Sequence, residues 1–371
     1  MRLAFCDYHI SVILEKFGAE PKPLDLLLSD YFRTHKSIGA HDRRQIGETL
    51  YQMVRWKSLI DFFCPSPKPI ERLFCFRKMS IDQCRQDPSI PEEIRAGASR
   101  YLFEKLCNAF GKDKGKELLR ILNTQAPTVI RANRLKTTRG ALLEILQKKF
   151  QVRPCLKAEA GIAFEKREPL FSLPEFKEGL FEMQDEGSQL VAEAVEAKPG
   201  DHVLDYCSGS GGKTLSFAHR MEGKGQIYLH DIRQQVLLEA RKRLKRAGVQ
   251  NAQFVLPRKK VDWLLLDVPC SGSGSLRRNP DAKWKIDATM VQRLVLEQRQ
   301  IMKDSLPFLK TGGHLVYITC SLFPEENGEQ VAHFLKNHPL VLEKELFLLP
   351  EEGGMDGFFA AVFKKIENLV G

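Results

Sequence analysis

From about residue 186 onward the sequence predicts a mostly parallel, doubly wound α/β sheet, preceded by a helical segment. Three observations predict it. Apolar, strand-like runs alternate with amphipathic helical runs over residues 186–319. The first of those strands runs directly into a glycine-rich loop, Val203-Leu-Asp-Tyr-Cys-Ser-Gly-Ser-Gly-Gly-Lys213. Two later strands each end in a cysteine, in Asp267-Val-Pro-Cys-Ser-Gly-Ser-Gly274 and in Tyr317-Ile-Thr-Cys-Ser321. In open α/β sheets that edge is where ligands bind.

Taken in order, residues 1–125 read as an all-α region. Apolar residues recur at helical spacing over 24–32, 46–59 and 96–110, and the prolines at 65–69 and 88 break the pattern. Residues 127–185 read as a small α/β linking module, with strands expected at 128–133, 150–152 and 162–164 and a helix at 138–149. Residues 186–371 carry the main sheet. Strands are expected at 203–205, 226–231, 253–256, 263–267 and 315–319, with helices at 213–221, 234–247 and 288–309. Residues 341–349 and 357–364 read as a closing antiparallel pair.

The chain has 371 residues, enough for two or three domains and a sizeable core. No apolar run reaches the roughly 18 residues of a membrane span. The N-terminus lacks the basic-then-apolar shape of a signal peptide, so a cytoplasmic protein is expected. Nine scattered cysteines with no Cys-x-x-Cys pair argue against a disulfide framework and against a zinc site, and no metal is expected. Cys64, Cys75, Cys84 and Cys107 are expected to be small buried hydrophobes. Net charge is +10, with basic clusters at 241–246, 258–260 and 277–278. A polyanionic partner is consistent with that balance, although a lysine- and arginine-rich run is also what a solvated helix face looks like. Nothing demands more than a monomer.

The glycine-rich loop admits three readings. A phosphate-binding P-loop needs glycine where Cys207 stands, and a dinucleotide fingerprint needs glycine where Thr214 stands. An S-adenosylmethionine loop fits better. There a strand ends in an acid, Asp205, and small residues follow at alternate positions, Cys207, Gly209 and Gly211. Backbone at Cys207, Ser208, Gly209, Ser210, Gly211, Gly212 and Lys213 then lies against the cofactor, and the following helix N-terminus favours its carboxylate. Asp231, ending the second strand, is placed to accept ribose hydroxyls, the alternative being a helix cap.

Thiols beside such a cofactor point to a particular acceptor. Carbon-5 of cytosine is a poor nucleophile. A thiolate added at C6 makes C5 enamine-like, so that C5 attacks the methyl group. The C5 proton must then leave and the thiol be eliminated, which calls for a second group. Asp267 is placed to hydrogen-bond the base.

Asp267-Val-Pro-Cys-Ser-Gly272 and Thr319-Cys-Ser-Leu-Phe-Pro-Glu-Glu-Asn327 resemble two signatures of the RsmB/Sun family of RNA (cytosine-5) methyltransferases. The stretches Phe181-Glu-Met-Gln-Asp-Glu-Gly-Ser188, Arg278-Asn-Pro-Asp-Ala-Lys-Trp284 and Met355-Asp-Gly-Phe-Phe-Ala360 resemble that family as well. The resemblance covers residues 127–364 and implies a Rossmann-like class I S-adenosylmethionine-dependent methyltransferase. It also implies roles: Cys320 as nucleophile on C6, Cys270 in product release, Asp267 on the cytosine and beside the cofactor, residues 207–213 and Asp231 on the cofactor. DNA cytosine methyltransferases use the Pro-Cys cysteine instead, the reverse assignment. The helical N-terminus resembles a NusB-like RNA-binding domain, best at Ile38-Gly-Ala-His-Asp-Arg-Arg44, which implies 16S rRNA rather than tRNA as partner. One departure is the third-strand link, Val255-Leu-Pro-Arg-Lys-Lys-Val261, which lacks the family's acid; Asp262 is the nearest candidate. That gap leaves a weakened enzyme, acting as an RNA-binding assembly factor, as the competing reading.

Overall fold

A computed structural model describes residues 3–19 and 22–367. The chain divides into two compact units, one of residues 1–125 with 275–290, the other of residues 126–274 with 291–371. The first unit is helical. The run expected as one helix over 46–59 is two, Ala40–Arg55 and Lys57–Phe63, separated at Trp56. The expected 96–110 helix begins only at Arg100, because Gly97 adopts φ +63° and Ser99 then caps the N–H of Leu102. Ile10, Ile13, Leu28, Ile46, Leu50 and Leu73 form its core, and each such side chain contributes about 1.5–3 kcal/mol on burial.

The segment 275–290, read from sequence as part of the sheet domain, packs into this helical unit. Lys283 is 3% exposed and donates to Arg55 O, Gly97 O and Asn123 Oδ1, each at 2.6 Å. The indole N–H of Trp284 donates to Val54 O at 2.7 Å. Buried polar groups need partners. These partners come from a helix and two helix-flanking turns more than a hundred residues upstream, a pairing with no local sequence signal.

In the second unit a small antiparallel sheet is formed by β1 (Thr128–Ala132), β2 (Val152–Pro154), β3 (Gly161–Phe164) and β4 (Phe181–Met183), in the order β2-β3-β1-β4, with the helix Arg139–Gln147. The main sheet contains β5 (His202–Asp205), β6 (Gln226–Leu229), β7 (Ala252–Gln253), β8 (Val261–Asp267), β9 (Leu309–Thr319), β10 (Leu340–Leu348) and β11 (Phe358–Lys365). Its order is β10-β11-β9-β8-β5-β6-β7. β5 to β9 pair in parallel, and β10 and β11 add an antiparallel edge. Chain progression runs from β5 outward to β7, then returns to β8 on the other side of β5. The switch point therefore lies between β5 and β8, and it puts the glycine loop and the Cys270 loop side by side.

Both faces of the sheet are covered, as parallel strands require. Val203, Leu265, Val316 and Ile318 face one layer, while Leu204, Leu264, Leu266 and Tyr317 face the other. Several element limits differ from the sequence reading; β6, expected at 226–231, ends at Leu229, and the helix expected at 213–221 is α-helical only to Phe217. β7 is two residues, not four, because it is the sheet edge: Val255 and Leu256 are 57% and 40% exposed, and Pro257 has no N–H for the ladder. β9 begins at Leu309, its first half concealed by Gly312-Gly313. The long helix ends at Ser305, followed by a 3-10 turn at Pro307. Of the cysteines only Cys155 is buried; Cys64, Cys75, Cys84 and Cys107, expected inside, are half-buried.

Candidate active site

At the end of β5, the loop of residues 206–211 turns upward and hands over to the helix Gly212–Phe217. Gly211 has φ +79°, and a Cβ there would meet Leu244 Cδ1 at 2.7 Å, so glycine is required. At Gly209, φ +51°, and at Gly212 a Cβ would meet nothing within 4 Å. The backbone thus presents an open cradle. Two polar atoms beneath it, Ser208 Oγ and Asp205 Oδ1, are buried without a hydrogen-bond partner. Asp231 accepts from Gly209 N–H at 2.9 Å and from Arg233 N–H at 2.9 Å. Burial pushes its carboxyl up, but the Arg233 guanidinium and backbone bonds outweigh that and hold it below the usual range. Asp231 therefore ties the cradle to the end of β6 as an ionised acceptor. These features fit the amino-acid and ribose ends of S-adenosylmethionine. Ser210 turns aside, its Oγ accepting from Arg243 at 2.6 Å.

Burial pushes the Asp205 carboxyl up to about 7, with the Thr214 hydroxyl opposing it and Asp267 and Asp231 adding to it. The folded protein therefore holds a proton on Asp205 that the unfolded chain releases near pH 4. Stability from this group is present below about pH 4 and is lost as pH rises through 7, by up to about 4 kcal/mol. Asp205→Asn should remove that dependence. Denaturant midpoints should move toward the variant's favour between pH 4.5 and 8; parallel profiles would exclude a protonated Asp205.

Asp267, at the end of β8, accepts from Lys213 Nζ at 3.0 Å, and Lys213 is only 9% exposed. The Asp267 side chain remains 33% exposed and is reachable from solvent. Three residues on, Cys270 Sγ lies 3.4 Å from Cys320 Sγ, and Cys320 N–H donates to Cys270 Sγ at 3.3 Å. The two cysteines, fifty residues apart in sequence, are one thiol pair. The Cys320 sulfur, burial and then Glu326 hold the Cys270 thiol well above its ordinary range. Cys207 behaves differently. Burial, then Asp205, Asp267 and Asp231, push its thiol up, which makes it an inert wall of the cradle.

What holds the pair together was not read from the sequence. Glu326, fully buried, accepts from Ser271 N–H at 2.9 Å, Ser271 Oγ at 2.5 Å, Ser321 Oγ at 2.5 Å and Gln298 Nε2 at 3.1 Å. One carboxylate therefore clamps the residue after each cysteine. Asn327 adds bonds to Thr319 Oγ1 and Ser321 O at 2.6 and 2.9 Å. Gly274 N–H donates to Cys320 O, and Gly357 N–H to Gly274 O, both at 2.9 Å. A Cβ on Gly274 would meet Gly357 O at 2.4 Å, so only glycine permits this crossing. The sole sequence signal for Glu326 is its place in the stretch ending at Asn327. Glu326→Gln replaces one acceptor oxygen with an NH2 group and removes the charge, so the Ser271 and Ser321 hydroxyls must turn to accept and lose their charge-assisted bonds. A loss of about 2–4 kcal/mol is expected in urea unfolding; a loss under 1 kcal/mol would mean the clamp is dispensable.

Other expected contacts are spent internally. Arg243 and Arg246 of the 241–246 cluster both pair with buried Glu182, and Arg246 sits 4.0 Å over the Phe176 ring. Asp262 lies at the start of β8, where it binds His202 N–H and Lys310 Nζ. It is at the opposite strand end from the cradle and does not replace the missing acid.

A glycine cradle at the switch point, with an ionised acid after the next strand, defines the S-adenosylmethionine-dependent methyltransferase class. Residues 192–364 match the family model described as 16S rRNA methyltransferase RsmB/F, and residues 98–170 match that of an RsmF/B-like ferredoxin-like domain. The chain is 33% identical over 297 residues to a probable ribosomal RNA small subunit methyltransferase B of Synechocystis, covering 71% of this chain and 66% of that one. It is 31% identical over 318 residues to ribosomal RNA small subunit methyltransferase B of Photorhabdus laumondii, covering 79% and 71%. A solved methyltransferase homolog protein from Pyrococcus horikoshii superposes with TM-score 0.67 at 27% identity, over 76% of this chain and all of that one. The chain belongs to the RsmB/F methyltransferase family. The ferredoxin-like match begins at residue 98, inside the helical region, and takes in the helices Arg100–Phe110 and Lys112–Leu122 before the small sheet.

Proposed function

We propose that the protein methylates C5 of a cytosine in RNA, with 16S rRNA as substrate, through a covalent bond between Cys320 and C6. The observation that carries the reading is the Cys270–Cys320 pair at 3.4 Å beside a reachable Asp267. S-adenosylmethionine supplies an electrophilic methyl group. Cys320 as thiolate forms the S–C6 bond, and the C5–C6 π electrons move to C5, which takes the methyl. Asp267 hydrogen-bonds the base, and Lys213 holds that carboxylate in place. The C5 proton then passes to a solvent water, the C5–H electron pair re-forms the C5–C6 double bond, and the S–C6 bond breaks with its electrons leaving on Cys320 as thiolate. Cys270 assists this release.

The choice of RNA rests on family membership, and 16S rRNA on the family's description and on relatives named as small-subunit ribosomal RNA methyltransferases. On this reading residues 1–125 bind RNA, 127–185 link, and 186–371 carry out the transfer in the cytoplasm. Stacked bases are out of reach of a thiol, so the target cytosine must be extruded or already unpaired. The test is transfer of labelled methyl from S-adenosylmethionine to unmodified 16S rRNA, followed by bisulfite mapping. Label at one cytosine supports the reading. Label on tRNA alone would keep the chemistry and remove the rRNA assignment. No label on any RNA would leave the assembly-factor reading.

A further inference from the structure

The helix Ala288–Ser305 turns a stripe of Val291, Leu294, Gln298, Met302 and Ser305 inward, at helical spacing. Gln298 is the long polar side chain of that stripe, and it is fully buried. A leucine there would bury at no polar cost, so the amide must find partners. It meets four groups. Nε2 donates to Pro269 O at 3.0 Å and to Glu326 Oε1 at 3.1 Å. Oε1 accepts from Gln330 Nε2 at 2.8 Å and lies 3.1 Å from the Tyr317 hydroxyl, which also reaches Glu326 O at 2.8 Å. Gln330 is itself fixed by Val295 O at 2.9 Å and Arg299 Nε at 3.0 Å. A reversed Gln298 amide would set oxygen against oxygen at Pro269 and Glu326, so its orientation is determined.

These bonds converge on one residue. Pro269 immediately precedes Cys270, and Ser271 follows it. Ser271 N–H donates to Glu326 Oε1, the same oxygen that accepts from Gln298. The backbone on both sides of Cys270 is therefore tied to Glu326, directly at Ser271 and through Gln298 at Pro269. Glu326 in turn accepts from Ser321 Oγ, beside Cys320. The direction of a cysteine side chain follows its backbone, so the 3.4 Å between the sulfurs depends on this tie. A shift of about 1 Å at a reacting group costs about a hundredfold in rate.

We propose that Gln298 is a positioning residue: it holds the Pro269 carbonyl, and through it sets Cys270 against Cys320 for the release step. The proposal rests on the role in release given to Cys270 above.

The test uses the full chain, as wild type and as Gln298→Met, an unbranched replacement of similar length without the amide. Dithiodipyridine first forms a mixed disulfide on one thiol and releases a thiopyridone. The second thiol then displaces the other thiopyridone and closes a Cys270–Cys320 disulfide, which mass mapping of the joined peptides follows. Closure should be about tenfold slower in Gln298→Met, with S-adenosylmethionine affinity at the wild-type value. Equal rates, or closure in neither protein, would overturn the proposal. If Gln298→Met does not fold, Tyr317→Phe, which takes one hydroxyl from the same amide, should slow closure about threefold; wild-type closure in that variant would overturn the proposal equally. With RNA and S-adenosylmethionine, Gln298→Met should accumulate a covalent complex stalled before release. In the Cys270→Ala background it should slow turnover no further. Losses that multiply would overturn the proposal, because Gln298 would then act elsewhere. If wild type transfers no methyl to RNA, the cytosine reading fails, and the closure rates still decide whether Gln298 places Cys270.

Discussion

Cys320→Ala should abolish methyl transfer, by on the order of 10^4-fold or more, while leaving S-adenosylmethionine and RNA affinity near wild type. The reason is chemical: without a sulfur to add at C6, C5 of cytosine has no electron density to give. Alanine is smaller than cysteine and the position is half-buried, so the fold should tolerate it. No RNA–protein adduct should form under denaturing electrophoresis. Turnover within tenfold of wild type would exclude Cys320 as the nucleophile.

Cys270→Ala should behave differently. Addition through Cys320 remains possible, but the thiol 3.4 Å away, proposed above to assist release, is gone. Loss of a positioned acid or base costs about 10²–10⁴-fold. The variant should therefore accumulate a denaturant-resistant covalent complex with RNA, dependent on S-adenosylmethionine, and the double variant Cys270→Ala/Cys320→Ala should lose it. The reverse pattern, adducts in Cys320→Ala and none in Cys270→Ala, would exchange the two roles.

Much of this architecture was legible from local pattern. The helix Gln234–Ala247 follows from periodicity alone, because an amphipathic stripe has one way to bury itself. The glycine cradle was legible because a left-handed φ leaves a glycine in the sequence. Burial misled where it depended on a neighbour. Val255 and Leu256 look like strand residues, yet they flank an edge with nothing beyond it. Cys75 and Cys84 look like core, yet they lie half-open. The run 241–246 looks like a nucleic-acid face, yet two of its arginines serve a buried glutamate.

Cys270, Cys320 and Asp267 were therefore singled out in one dimension, since strand ends and residue types are local properties. The 3.4 Å between the sulfurs, the clamp by Glu326 and the capture of Lys283 by three acceptors were not. Each joins segments that are distant in sequence or fixes a polar group away from water. A hydrogen bond specifies only a donor, an acceptor and a geometry, and many pairs in a chain of this length could meet that requirement. Which pairs do so is decided when strand order sets β5, β8 and β9 side by side and packing closes water out of the space between their loops.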